Sequence, residues 1–215
     1  MRRGLTTTGL LLIWTVLALY PNPTMLGRAI TQSWTPVVDA TAVRDLAATL
    51  PDDPHQIEAA VLGSIVPYGV PWETYGVPWY FPTPAEVLAT GRGDCQGRAV
   101  VFASLLKAKG IPFTLEASFD HIWVDYPGKN PNAMENSQVS IAQKAPDESY
   151  GFHLPADWNL PQSWEIERAY FLDPAPGWRW AVLGLGWVLI LARRRLLARL
   201  TRRPAAAVAH ADYLP

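Results

Sequence analysis

The chain has one cysteine, Cys95, and four histidines that could serve it: His55, His121, His153 and His210. A thiol becomes a useful nucleophile when an imidazole shuttles its proton. The chemistry to look for is therefore nucleophilic attack by a thiol with an imidazole as its base. Gly91-Arg92-Gly93-Asp94 reads as a tight turn, and Cys95 falls in the first turn of the helix that follows. Unpaired backbone N–H groups and the positive end of the helix dipole favour thiolate there. The glycines let the backbone turn sharply, so that the sulfur faces a cleft. A cysteine serving only as a small core hydrophobe would sit inside the apolar face, several residues further along. A single cysteine forms no internal disulfide, so no disulfide framework holds the domain.

Among the histidines, His210 lies in the C-terminal tail, and His55 stands beside Asp52 and Asp53, where a solvated helix face is the default. His153 lies in an irregular segment and stays open as an alternative. His121 begins a strand that should pair beside the cysteine helix, which makes it the expected base. Asp125 shares a strand face with His121, but four residues along a strand span about 13 Å, too far to contact the ring. Asp94 and Asp120 read as turn residues. The backbone N–H of Cys95 is available to a developing oxyanion. No metal cluster, phosphate loop or nucleotide fingerprint occurs, so no cofactor and no metal are expected.

The elements that must position these groups follow from pattern. Asp39 can cap a run carrying Val43, Leu46, Ala47 and Leu50, which Pro51 ends, and Pro54 opens a second helix with Ile57, Ala60, Val61 and Ile65 at helical spacing. Residues 66–84 are rich in rings and prolines, which excludes a regular helix and predicts a packed loop. Thr83-Pro84-Ala85-Glu86 is a capping signature for a short helix that breaks at Gly91. Residues 95–109 read as an apolar helix stopped by Gly110. Two strands follow, at residues 112–118 and 121–126, with a third expected at 137–142. Helices first and antiparallel strands later make the fold class α+β. Residues 144–176 show little periodicity.

The block TPAEVLATGRGDCQGRAVVFASLLKAKGIP, followed by HIWVDYPG, resembles the transglutaminase-like family. The resemblance is carried by Gly93-Asp94-Cys95 opening a helix, the Gly110-Ile111-Pro112 step that ends it, and the His121-Ile122-Trp123 strand, and it covers residues 83–128. It implies a papain-like core and a Cys-His-Asp triad. It also implies acyl transfer to water, an amine or another nucleophile, on a peptide or protein substrate. The family places an Asp about fifteen residues after the His, where this chain offers Glu135 and Asn136. Either could accept the imidazole N–H, and a carboxylate would also stabilise imidazolium. The resemblance further suggests an upstream oxyanion donor, for which Trp72 and Trp79 are the candidates, although ring packing is the commoner role of a Trp.

Charge and hydropathy supply the setting. Residues 22–175 hold nine Lys/Arg against eighteen Asp/Glu, an acidic balance that argues against nucleic acid as a partner. The remaining basic residues sit at the chain ends. Residues 5–20 are apolar behind Arg2 and Arg3 and lack a small-x-small cleavage site, which predicts an uncleaved anchor. Residues 178–192 are apolar and run into Arg193-Arg194-Arg195. The positive-inside rule then places both termini in the cytoplasm. The expected organisation is an N-terminal transmembrane anchor (1–21), an extracytoplasmic transglutaminase-like domain (22–175), a C-terminal transmembrane helix (176–195) and a basic cytoplasmic tail (196–215). The lipid bilayer would be a partner through two spans. The expected function is a membrane-bound thiol hydrolase or acyltransferase. The alternative is an inactive module of the same fold that binds or scaffolds.

Overall fold

A computed structural model describes residues 2–145, 147, 149–152, 154–156 and 159–201. His153, His210 and the tail beyond Thr201 lie outside the described residues. The chain divides into two compact units, Met1–Pro21 with Gly177–Pro215, and Asn22–Pro176.

In the first unit, α1 (Arg2–Leu19) packs antiparallel against a long helix near the C-terminus. That last helix, Gly177–Thr201, runs without a break past residue 195, where the tail was expected to begin. Hydrogen bonds fix the register of the hairpin: Arg179 donates to the Ala18 carbonyl (2.8 Å), Trp14 to the Leu183 carbonyl (3.2 Å) and Arg193 to Thr7 Oγ1 (3.2 Å). Among the described residues no single helix is long and apolar enough to cross a membrane by itself. α1 has 18 residues, about 27 Å at ~1.5 Å rise per residue, and it includes a Thr run and two arginines, while the 25-residue C-terminal helix has its apolar stretch bounded by Arg179 and Arg193. Two interrupted helix pairs pass by length and composition when their halves are added, Thr6–Leu19 with Pro23–Trp34 and Leu160–Leu172 with Gly177–Arg193.

The second unit is α+β, with all its strands antiparallel. It opens with α2 (Pro23–Trp34), capped by Asn22, an amphipathic helix the sequence reading did not separate from its surroundings. Asp39 caps only a turn, through the N–H groups of Thr41 and Ala42, and α3 (Arg44–Thr49) starts later than expected. The next helix, α4 (Pro54–Ala60), has Asp53 as its N-cap and continues as a π-helical turn, Val61–Ile65. A short α5 (Pro71–Thr74) interrupts the aromatic loop. Thr83 and Glu86 close a complete capping box on α6 (Pro84–Thr90), which Gly91 ends at φ +68°, a left-handed conformation that a side chain would strain.

The central element is α7 (Cys95–Ala108), whose Val100, Ala103, Leu105 and Leu106 are fully buried. It packs on β2 of a four-stranded sheet ordered β2-β1-β3-β4. The strands are β1 (Thr114–Ala117), β2 (Ile122–Asp125), β3 (Ala142–Lys144) and β4 (Tyr150–Phe152). The register pairs Glu116 with Trp123 and Ala117 with Ile122, and a tight turn joins the two strands. The third strand thus begins where the expected one (137–142) ends. Finally α8 (Leu160–Glu167) runs into a second π-helical turn, Arg168–Leu172, ahead of α9 (Gly177–Thr201).

Candidate active site

Two local devices set Cys95 at the start of α7. The Asp94 side chain accepts the Gly97 N–H (2.9 Å) and so caps the helix one residue before the thiol. The preceding turn is clamped to the aromatic loop, where Gly69 N donates to Gly93 O (3.0 Å) and Gly93 N to Pro67 O (3.1 Å). Gly93 is required by closeness: a Cβ there would press on Val66, Val87 and the backbone of Gly97, all within 3.2–3.4 Å.

The pairing of β2 with β1, together with the packing of α7 on β2, brings His121 to Cys95. Both residues line the same two cavities, one of about 350 Å³ and one of about 240 Å³. The first is walled by Leu62, Tyr68, Phe102, Trp123 and Met134, the second by Trp79, Phe81, Phe119 and Glu167. His121 is fixed at both ends. Its backbone N–H donates to Ser118 Oγ (3.1 Å), and its Nε2 lies 2.9 Å from Glu135 Oε1. The ring also stacks on Trp123, with centroids 6.0 Å apart. With Nε2 bonded to the carboxylate, Nδ1 is the nitrogen left for the thiol.

Glu135 is firmly ionised. Burial works against its charge, but the His121 hydrogen bond and the Lys129 ammonium outweigh that and hold its pKa at about 2. Asn136 turns elsewhere: its Nδ2 donates to the carbonyls of Asn132 (2.8 Å) and Ala133 (3.3 Å), which folds the loop and leaves the imidazole to Glu135.

The structure places the two candidate tryptophans differently. Trp72 is buried and donates its indole N–H to the Phe171 carbonyl (2.8 Å). Trp79 stands on the wall of the smaller cavity, and its N–H faces the Gln96 side-chain oxygen at 2.7 Å once that amide is oriented to satisfy its neighbours.

The thiol is less acidic than its place at a helix start predicts. Although Cys95 keeps partial exposure, protein atoms enclose the sulfur, and burial followed by the Asp94 carboxylate pushes its pKa up to about 12. The N–H groups of Ile122, Gln96 and Cys95 pull the other way without winning. Desolvation outweighs the helix end.

Two residues near the site gave no sequence signal that was used. Tyr170, in the second π-helical turn, lines both cavities and donates its hydroxyl to the buried Asp94 carboxylate. Burial pushes the Asp94 pKa upward against the Tyr170 hydrogen bond, and burial followed by the Asp94 charge pushes the Tyr170 pKa upward. The four-residue spacing of Ile166 and Tyr170, which face the same cavities, was the readable clue. Lys129 follows a glycine turn, where a lysine is ordinarily solvated, and nothing in the sequence marks it. His55, expected on a solvated face, is exposed but pairs through Nδ1 with the Tyr126 hydroxyl (3.0 Å). Asp120 bonds to the hydroxyls of Ser118 (2.8 Å) and Ser163 (2.6 Å).

No family model matches the chain, and no curated protein and no solved structure matches it significantly.

Proposed function

We propose that residues 22–176 form a thiol hydrolase or acyltransferase with a papain-like arrangement, held at a membrane by the α1–α9 hairpin. One observation carries the enzymatic reading: Cys95 and His121 line common cavities while Glu135 holds the far nitrogen of the ring. In the reaction, Cys95 Sγ attacks a substrate carbonyl carbon as Nδ1 of His121 takes the thiol proton. The carbonyl oxygen gathers charge against the first N–H groups of α7. Collapse expels the amine or alcohol, which receives that proton from His121, and leaves a thioester. Water or an amine then attacks the thioester by the same proton path and regenerates the thiol. Because the thiol pKa lies at about 12, the proton leaves during attack and not before it.

A peptidyl acyloxymethyl ketone tests this, since it needs attack by the thiol assisted by the imidazole. Wild-type protein should be labelled at neutral pH, whereas Cys95→Ser and His121→Ala should not. Equal labelling of wild type and His121→Ala would remove the enzymatic reading. The raised thiol pKa favours a second reading, a module of this fold that only binds, and that reading would then stand.

The membrane reading is supported by the surface of the hairpin. Leu12, Ile13, Leu185, Val188 and Leu191 are each about 60 % exposed. The Arg193–Thr7 contact sets Arg193 beside the N-terminal half of α1. That arrangement agrees with both termini on the cytoplasmic side. Retention of the full chain in the membrane fraction after alkaline carbonate extraction is the expected outcome; release into the supernatant would remove the reading.

A further inference from the structure

The Lys129 side chain is 6 % exposed, and its ammonium is directed inward. It donates to Glu58 Oε1 (2.9 Å), Glu135 Oε2 (2.8 Å) and the Val124 carbonyl (2.9 Å). An ammonium has three N–H donors, and each one here has its own acceptor. The Val124 carbonyl belongs to β2, the strand that His121 leads, so the ammonium ties Glu135 to that strand. Glu135 reaches His121 through its other oxygen. Glu58 is held in turn by the Tyr126 hydroxyl (2.7 Å).

We propose that Lys129 is the positioning residue of the active site, acting on the imidazole through Glu135. The inference rests on the thiol-enzyme reading above. A carboxylate on a loop would otherwise be free to rotate, and the imidazole could turn with it. With Oε2 pinned by Lys129 and by Asn132 Nδ2 (3.2 Å), Oε1 has one orientation left, toward Nε2. The proton of the neutral ring is then held on Nε2, and Nδ1 stays an acceptor. Lys129 touches neither the thiol nor a reacting atom, so it is not a catalytic residue. The charged and titratable groups around the imidazole are Glu135 on its own loop, Asp120 beside it in the turn, Cys95 and Asp94 from α7, Glu58 and Lys129 beyond Glu135, and Glu167 and Tyr170 from the last helical segment.

The full-length protein with ¹⁵N-labelled histidine tests the proposal in two readouts: the tautomer of His121 from its ring nitrogen shifts at alkaline pH, and the labelling rate with the acyloxymethyl ketone. Wild type should show the Nε2–H tautomer alone. Lys129→Met should show both tautomers and label about tenfold to a hundredfold more slowly, the usual cost of a misplaced catalytic group. Glu135→Gln should do at least as much, and adding Lys129→Met to it should change nothing further. Lys109→Met, at a lysine of similar burial paired with Asp52, should match wild type. Multiplying effects in the double variant, or a wild-type tautomer in Lys129→Met, would overturn the proposal. If Lys129→Met does not fold, Lys129→Met combined with Glu58→Gln, which removes the second carboxylate left without a partner, is read in its place with the same expected outcome. Failure of wild type to label overturns the enzymatic reading alone, because the tautomer measurement still decides the role of Lys129.

Discussion

His121 Nε2 and Glu135 Oε1 lie 2.9 Å apart across fourteen residues of chain, in a loop whose other carboxylate oxygen is bonded to Lys129. A glutamine at 135 has only one acceptor oxygen, so either the imidazole or the ammonium loses its partner. Glu135→Gln should therefore lower stability by about 1–3 kcal/mol, measured by urea unfolding, the cost of leaving one buried donor unmet. The same change should slow Cys95 labelling by roughly a hundredfold if the carboxylate orients the ring.

Acid titration gives a second test of that carboxylate. Its folded pKa is depressed to about 2 from an ordinary 4.5. A group shifted in that direction adds stability that is fully present above the unfolded value and disappears as pH falls through the folded one. Between pH ~4.5 and ~2 the wild type should lose about 2 kcal/mol on this account, with solvent screening allowed for. Glu135→Gln should lose correspondingly less over that window. Parallel acid limbs in the two proteins would show that the carboxylate is not held as described.

The Cys95 thiol offers a prediction opposite to the one its helix position suggests. With a pKa at about 12, iodoacetamide should react slowly at pH 7, and the rate should still be climbing at pH 10. The Asp94 charge is the second cause of the shift, after burial. Asp94→Asn keeps an equally good cap for α7 while removing that charge, so alkylation should become severalfold faster at a given pH. An unchanged rate would leave burial as the whole cause.

The parts of this site that were legible in sequence are those made by local chemistry. Thr83 with Glu86, Pro84 and Gly91 spell a capped and terminated helix, and the structure has each of those contacts. Cys95 opening α7 and His121 leading β2 follow from a glycine turn and from alternation. The helix-end argument for a thiolate failed because it weighed the dipole without the burial, which depends on α8 and on the turn after it. Those elements were not read, since residues 144–176 show little overall periodicity and the Ile166–Tyr170 spacing stands alone across the start of a π-helical turn. Glu135, with Asn136 as the alternative, was named from the position at which the resembled family carries its third residue. Lys129 could not be, because its three acceptors come from α4, from β2 and from the loop that follows.

Tyr170 provides the next test. Asp94 is 2 % exposed and takes a hydrogen bond from the Tyr170 hydroxyl on the oxygen that does not cap α7. Tyr170→Phe removes that donor and leaves a buried carboxylate oxygen short of a partner. A loss of about 1–3 kcal/mol is expected in urea unfolding. Asp94→Asn in the Tyr170→Phe background should recover part of it, because a neutral amide is cheaper to bury than a charge. If the second change brings no recovery, the carboxylate is reaching solvent or another donor.

The hairpin makes its own prediction at two glycines that sequence alone treats alike. Each would gain helix propensity from a methyl group, on the order of 1 kcal/mol. A Cβ at Gly184 meets nothing within 4 Å, whereas one at Gly186 would land inside the Trp14 indole, whose Nε1 donates to the Leu183 carbonyl at 3.2 Å. The ring has to swing away and give up that bond, and overpacking of this kind costs about 1–3 kcal/mol. Gly184→Ala should thus leave α1–α9 association intact or slightly strengthened, while Gly186→Ala weakens it. Unfolding of the full chain by SDS titration from mixed micelles reads the difference. Equal midpoints for the two variants would mean that α1 does not lie against α9 along the face that carries Trp14.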